Sequence, residues 1–195
     1  MQSHFLIITG MSGAGKTQVV RTLEDLNFFC IDNLPATLIP KFAELCRQTS
    51  EEKVALVVDI RGGRFFDKLL QVLDEMEASG QKYELLFLDA SDATLVRRYK
   101  ETRRRHPLGE RNTLLKNITC ERELLDPLRE KATHIIDTST LTTAQLKAKV
   151  TEMFGEGSSK ERMGIVVRSF GFKHGLPLDS DLVLDVRFLP NPFYV

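Results

Sequence analysis

Hydrophobic positions along this chain fall into two alternating patterns. Short unbroken apolar runs bounded by turn residues occur at Phe5 to Thr9, Val54 to Asp59, Glu84 to Asp89 and His134 to Asp137. A run without polar alternation fits a strand covered on both faces rather than one with a face in water. Between these runs the apolar spacing turns helical, over Lys16 to Asn27, a Pro-initiated stretch after Pro40, Phe65 to Ser79, Thr94 to Arg105, Leu114 to Lys131 and Thr143 to Phe154. Strands alternating with helices predict an α/β domain, a parallel sheet sandwiched between two helical layers. The polar, Gly/Ser-rich stretch Gly155 to Arg162 then reads as a linker, which divides a domain over 1–154 from a remnant over 163–195. Within the remnant, Gly164 to Phe170 and Leu182 to Phe188 read as two strands. A lone strand pair is marginal in water, and the apolar, Pro-rich end Leu189-Pro-Asn-Pro-Phe-Tyr-Val195 suggests a second domain cut short.

Composition narrows the class without naming a task. The 195 residues carry 27 Lys+Arg against 27 Asp+Glu, a formal net charge of zero, with 42% hydrophobic and 28% charged residues. This profile excludes collagen, coiled coil and wholesale disorder. It also argues against bulk electrostatic attraction to nucleic acid or an anionic membrane, leaving only local basic patches to be found by position. Three cysteines, Cys30, Cys46 and Cys120, are odd in number and lack C-x-x-C spacing, so neither a disulfide framework nor a zinc site is indicated. No signal-peptide pattern or membrane-spanning run is seen, and a cytoplasmic location is expected.

The strongest chemical signal is Gly10-Met11-Ser12-Gly13-Ala14-Gly15-Lys16-Thr17, a G-x-x-x-x-G-K-[ST] phosphate-binding loop. It follows an apolar strand and opens a helix, the context the motif requires. The glycines permit backbone conformations that turn successive N–H groups toward a phosphate, and the helix N-terminus adds partial positive charge. Lys16 is placed to reach the β- and γ-phosphates of a nucleotide, and the Thr17 hydroxyl to ligate Mg²⁺. Such a loop calls for an acidic partner at a neighbouring strand end. Asp59, Asp89 and Asp137 compete, and Asp59 is preferred because Asp59-Ile60-Arg61-Gly62 also offers the Gly62 amide near a γ-phosphate. A strand-end Asp also caps the following helix, the reading that Asp89 and Asp137 fit better than Asp59 does. No N-K-x-D occurs, so guanine selectivity is not signalled.

Arg97 to Arg105 holds six Lys/Arg in nine positions with one acid, Glu101. The cluster reads either as a lid over a triphosphate, with Arg103 or Arg104 neutralising charge as the terminal phosphoryl leaves, or as a solvated basic helix face. His106 reads as a cap at that helix's C-terminus. Asp32, in Phe28-Phe-Cys-Ile-Asp32-Asn33-Leu-Pro35, sits where a small-molecule kinase places an acceptor-binding acid, although Asn-Leu-Pro also makes an ordinary turn. Ser169-Phe-Gly-Phe-Lys-His-Gly175 reads as a binding loop or as packing in a small sheet.

Several stretches together resemble one family, the RapZ/YvcJ nucleotide-binding proteins. They are Gly10 to Thr17, Glu24 to Pro35, Tyr99 to Pro107, Ser169 to Gly175 and Asp185-Val-Arg-Phe-Leu-Pro-Asn-Pro192. The resemblance implies a kinase-like P-loop domain that binds and slowly hydrolyses ATP and GTP, with Gly10 to Thr17 assigned to ATP and Asp59 to Gly62 to GTP. It further implies a C-terminal domain that lets some members act as adapters presenting a regulatory RNA to a protein partner, an endoribonuclease. This chain ends where that domain has barely begun, so the RNA and amino-sugar functions are expected of longer members. The expectation for this polypeptide is a Mg²⁺-dependent, slow, regulatory NTPase, its oligomeric state left open. The alternatives are a kinase using Asp32 to hold an acceptor, and an RNA-binding adapter controlling small-RNA decay in which nucleotide only sets conformation, a reading that the neutral composition and the missing C-terminal part count against.

Overall fold

The computed structural model describes residues 4–49, 53–58, 63–103, 105–109, 112–155, 166–171, 173, 175–178, 180–185 and 187–189. The chain divides into two compact units, Met1–Ser158 and Ser159–Val195.

The first unit is built on a parallel sheet of five strands: β1 (His4–Gly10), β2 (Phe29–Asp32), β3 (Lys53–Val57), β4 (Glu84–Asp89) and β5 (His134–Asp137). Their order is β2-β3-β1-β4-β5, and each neighbouring pair is parallel. β1 therefore lies at the centre, and Leu6, Ile7 and Ile8 are fully buried, as an apolar run sandwiched between helical layers must be. Val58 extends the β1–β3 pairing by one residue, donating its N–H to Ile8 O at 3.0 Å.

Among the described residues, five α-helices lie between the strands, α1 (Lys16–Asp25), α2 (Ile39–Thr49), α3 (Gly63–Ala78), α4 (Asp92–Thr102) and α5 (Leu114–Lys131), and α6 (Thr143–Phe154) follows β5. The right-handed crossover rule settles their layers. The step from β1 to β2 runs against the direction of the later steps, so α1 lies on one face and α2, α3 and α5 on the other. Packing agrees, since α1 meets α6 while α3 and α4 meet α5. Side-chain caps mark three helix starts: Ser91 for α4, Thr113 for α5, and a Thr142–Gln145 capping box for α6.

Three features depart from the sequence pattern. β2 is a strand that is not among the apolar runs of the sequence; it is only four residues long, at the sheet edge, with both ends exposed. α4 stops at Thr102 rather than Arg105, because Arg103 takes a left-handed conformation (φ 51°) that turns the chain inward. In the second unit, the stretches expected as strands, 164–170 and 182–188, form none among their described residues. With Val167 90% and Leu184 70% exposed, no packed layer covers them, and the strand pairing expected there lacks support.

Candidate functional site

At the carboxyl end of β1 the chain must turn sharply into α1. Gly10, Gly13 and Gly15 all adopt positive φ (133°, 88° and 106°), which residues with a Cβ rarely adopt. At Gly10 the requirement is also steric, since a Cβ would lie 2.1 Å from Leu88 O on the adjacent β4. The Met11 N–H donates to that same carbonyl at 2.9 Å, stitching the loop to the sheet.

The loop's carbonyl oxygens are engaged by side chains on all sides. Lys16 Nζ donates to Gly10 O (2.8 Å) and Met11 O (3.2 Å). Arg98, on α4, donates to Gly13 O (3.0 Å) and through the same guanidinium to both oxygens of Thr138. Thr138 Oγ1 in turn lies 2.9 Å from Ala14 O. Burial lowers the Arg98 pKa, the neighbouring Arg97 adding to the effect, but a guanidinium still keeps its charge. Holding the carbonyls this way presents the opposite edge of the loop, and the first amides of α1 have no intrahelical acceptor. A helix start of this kind receives anions.

These atoms floor an open cleft of about 1370 Å³ whose walls include Thr17, Asp32, Asn33, Arg97, Arg105, Leu141 and Thr142. Of the residues expected from sequence, Ser12 to Thr17 line the cleft, while Gly10 ends β1 and Met11 is buried behind the turn; Ala14 is buried and Thr17 exposed. Asp32 lines the cleft at the end of β2, beside Asn33, which holds a positive φ of 60° and donates to Val57 O. Asp59, Ile60, Arg61 and Gly62 lie outside the described residues, as does Arg104. Arg103 is the exposed C-cap of α4 and is not on the cleft wall, where Arg97, Arg98 and Arg105 stand instead. From sequence Arg98 is only one member of the basic cluster, in which Arg103 and Arg104 are preferred; the fold singles it out on the cleft, and Thr102 one turn on bonds back through its hydroxyl to Arg98 O.

The other strand-end acids are committed elsewhere. Asp89 accepts from the Ala90 N–H and pairs with Arg122 (2.7 Å) and Arg129 (3.4 Å). Burial works against the Arg122 charge, but bonds to Asp89 and Asp92 outweigh it and raise its pKa. Asp137 accepts from both the hydroxyl and the N–H of Ser139, which hold its carboxyl below the usual range. His106 does not cap α4; it is buried, with its ring 5.2 Å from that of Tyr99. Among the described residues no cluster of three or more His, Cys, Asp or Glu could hold a metal, and no helix is long and apolar enough to cross a membrane.

This fold and loop define a P-loop protein of the kinase-like α/β class. It shares its fold with shikimate kinase from Bacteroides thetaiotaomicron (TM-score 0.52, 21% identity, 77% of this chain and 96% of that one). Shikimate kinase from Acinetobacter baumannii in complex with shikimate is similar to the same degree (TM-score 0.53, 19% identity, 78% of this chain and 93% of that one). Residues 3–158 match the RapZ-like N-terminal domain and residues 163–195 the RapZ C-terminal domain, and the chain belongs to this RapZ-like family. Among curated relatives, a nucleotide-binding protein of Clostridium botulinum strain Hall is 57% identical over 194 residues, covering 98% of this chain and 66% of that protein. A nucleotide-binding protein of Clostridium kluyveri is 55% identical over the same shares. The chain thus spans just under two thirds of the length of these relatives.

Proposed function

We propose that this chain binds ATP and GTP on the phosphate loop with Mg²⁺ and hydrolyses them slowly, in a regulatory rather than a metabolic role. The observation that carries the reading is the floor of the cleft, a glycine-built turn whose carbonyls are drawn away by Lys16, Arg98 and Thr138. A polyphosphate seated there meets main-chain amides and the positive end of α1. Lys16 Nζ then exchanges its carbonyl partners for phosphate oxygens, a short displacement within the same turn. Thr17 and Asp59 supply a hydroxyl and a carboxylate, the hard oxygen donors Mg²⁺ prefers, and exposed Thr17 in the first turn of α1 fits that part. When bound, the ion neutralises charge on the phosphates. Arg97 and Arg105 on the cleft wall are placed to stabilise charge on a departing phosphoryl group, a role for which Arg104 remains a candidate by its position next to Arg105. The assignment of GTP to Asp59, Ile60, Arg61 and Gly62 rests on family resemblance. No described side chain stands out as a general base, which suits slow turnover, because phosphoryl transfer depends chiefly on positioning and electrostatics.

The test is phosphate release from ATP and from GTP with Mg²⁺ and no acceptor, for the wild type and Lys16→Ala. Slow release from both that disappears in the variant is expected. Tight nucleotide binding without release would overturn the hydrolase reading. It would favour the second one, in which Asp32 on the cleft wall orients an acceptor hydroxyl; turnover would then appear only when such an acceptor is added.

A further inference from the structure

Behind the phosphate loop, three distant segments meet at one buried carboxylate. Glu121 of α5 is 6% exposed. Its Oε1 accepts from Ser12 Oγ at 2.5 Å and from the Ser12 N–H at 3.2 Å, and its Oε2 lies 3.3 Å from the same nitrogen. On its other side Oε2 faces His106 Nε2 at 3.2 Å. The His106 ring accepts the Leu108 N–H at Nδ1 (3.2 Å), which assigns the proton of the neutral ring to Nε2. One turn earlier on α5, Asn117 donates to Gly109 O at 2.7 Å. Helix α5 therefore grips residues 106–109 at two points while holding the phosphate loop at Ser12.

The donor count explains why this position carries a glutamate. Ser12 N–H, Ser12 O–H and His106 Nε2–H all point at Glu121, and only an acceptor-only group can serve three donors. Glutamine has the same shape, yet its NH₂ would confront an N–H. Burying a carboxylate is costly unless it is hydrogen-bonded, and here both oxygens have partners. Both ends of the network touch the cleft: Ser12 belongs to its floor, and Arg105, which precedes His106, stands on its wall.

We propose that Glu121 and His106 are positioning residues that couple the phosphate loop to the arginine-bearing wall, so that a phosphate ordering Ser12 also orders residues 105–109. This inference rests on the reading of the cleft as a nucleotide site. The test compares wild type, Glu121→Gln and His106→Gln by thermal midpoint, ATP-analogue affinity, and amide exchange at Ser12 and over 105–109 with and without ATP. In folded Glu121→Gln the affinity is expected to fall about tenfold, as for a lost charge-assisted bond. ATP should still protect 10–17 but no longer protect 105–109. His106→Gln should lose the protection of 105–109 while keeping more of the affinity.

A lowered thermal midpoint with unchanged affinity and unchanged protection would reduce the network to core packing and overturn the proposal. If Glu121→Gln does not fold, His106→Gln decides by the same readouts. If wild type binds neither ATP nor GTP, the nucleotide reading fails separately. The coupling itself is then judged without nucleotide: it stands if loss of the carboxylate speeds exchange at Ser12 and 105–109 together, and falls if 105–109 is unaffected.

Discussion

The guanidinium of Arg98 donates to the carbonyl oxygen of Gly13 at 3.0 Å, across 85 residues of sequence, and so fastens α4 to the phosphate loop. The same group reaches Thr138 O at 2.7 Å, beyond the end of β5. Arg98→Ala is expected to weaken ATP binding about tenfold and to cost about 1–2 kcal/mol of stability, a fall of a few degrees in thermal midpoint. Arg98→Lys should restore little, since one ammonium cannot span these acceptors as a planar fork does. Calorimetric titration beside a thermal melt checks both; wild-type affinity in the lysine variant would refute the bridging role.

Gly10→Ala should be far more damaging than an ordinary surface change. The new Cβ would meet backbone, Leu88 O at 2.1 Å, at a φ of 133°. Neither can yield without separating β1 from β4, so a loss of roughly 3 kcal/mol or more is expected from strain and displaced backbone. Urea unfolding measures it, and a midpoint near wild type would contradict the close approach.

The Asp137 carboxyl, held below its usual range by bonds from Ser139, links stability to acid. Its folded pKa is lower than its unfolded one, so its contribution is fully present above the ordinary carboxylate value of about 4 and is lost as the pH falls through the depressed folded value. Asp137→Asn should flatten the loss of stability below about pH 4 and leave its pH dependence near neutrality unchanged. Urea midpoints from pH 7 down to 3 test this. An identical acid profile in wild type and variant would exclude the link.

Burial, with Glu24 nearby, pushes the Cys30 thiol up to about 11. At pH 8 its thiolate fraction should be about a hundredfold below that of an ordinary thiol, and alkylation correspondingly slow. Mass-spectrometric labelling over time gives the rate at this site, and labelling as fast as a model thiol would disprove the shielded environment.

Local pattern accounts for much of this molecule. Ile7 and Ile8 announce a buried strand and Gly10 to Thr17 a phosphate loop, because each depends on its sequence neighbours alone. β2 hides for the converse reason: Phe29 to Asp32 is an edge strand that follows α1 closely, and its pairing with β3 decides its conformation more than its own composition does. Arg103 drew attention as part of a run of arginines, but the run leaves the helix where Arg103 turns left-handed. Only the fold shows that Arg98 and Arg105 meet the cleft. Glu121 is the extreme case, since its partner Ser12 lies 109 residues away and nothing in the surrounding helix sets it apart. The two strands expected after residue 163 show the opposite error: the apolar residues are present, but among the described residues none forms a strand there, and Val167 and Leu184 stand exposed.

The central position of β1 has a consequence for discrimination. Its loop is pinned to β4 at Leu88, to α4 at Arg98 and to the β5–α6 connection at Thr138, so the cleft floor is a stiff array of main-chain dipoles. Main-chain amides of this kind answer to the shape and charge of an anion and not to the group attached to it. Discrimination among ligands that share a phosphate would then fall to side chains of the walls, such as Asp32, Leu141 and Thr142, where substitution can alter selectivity without disturbing the floor.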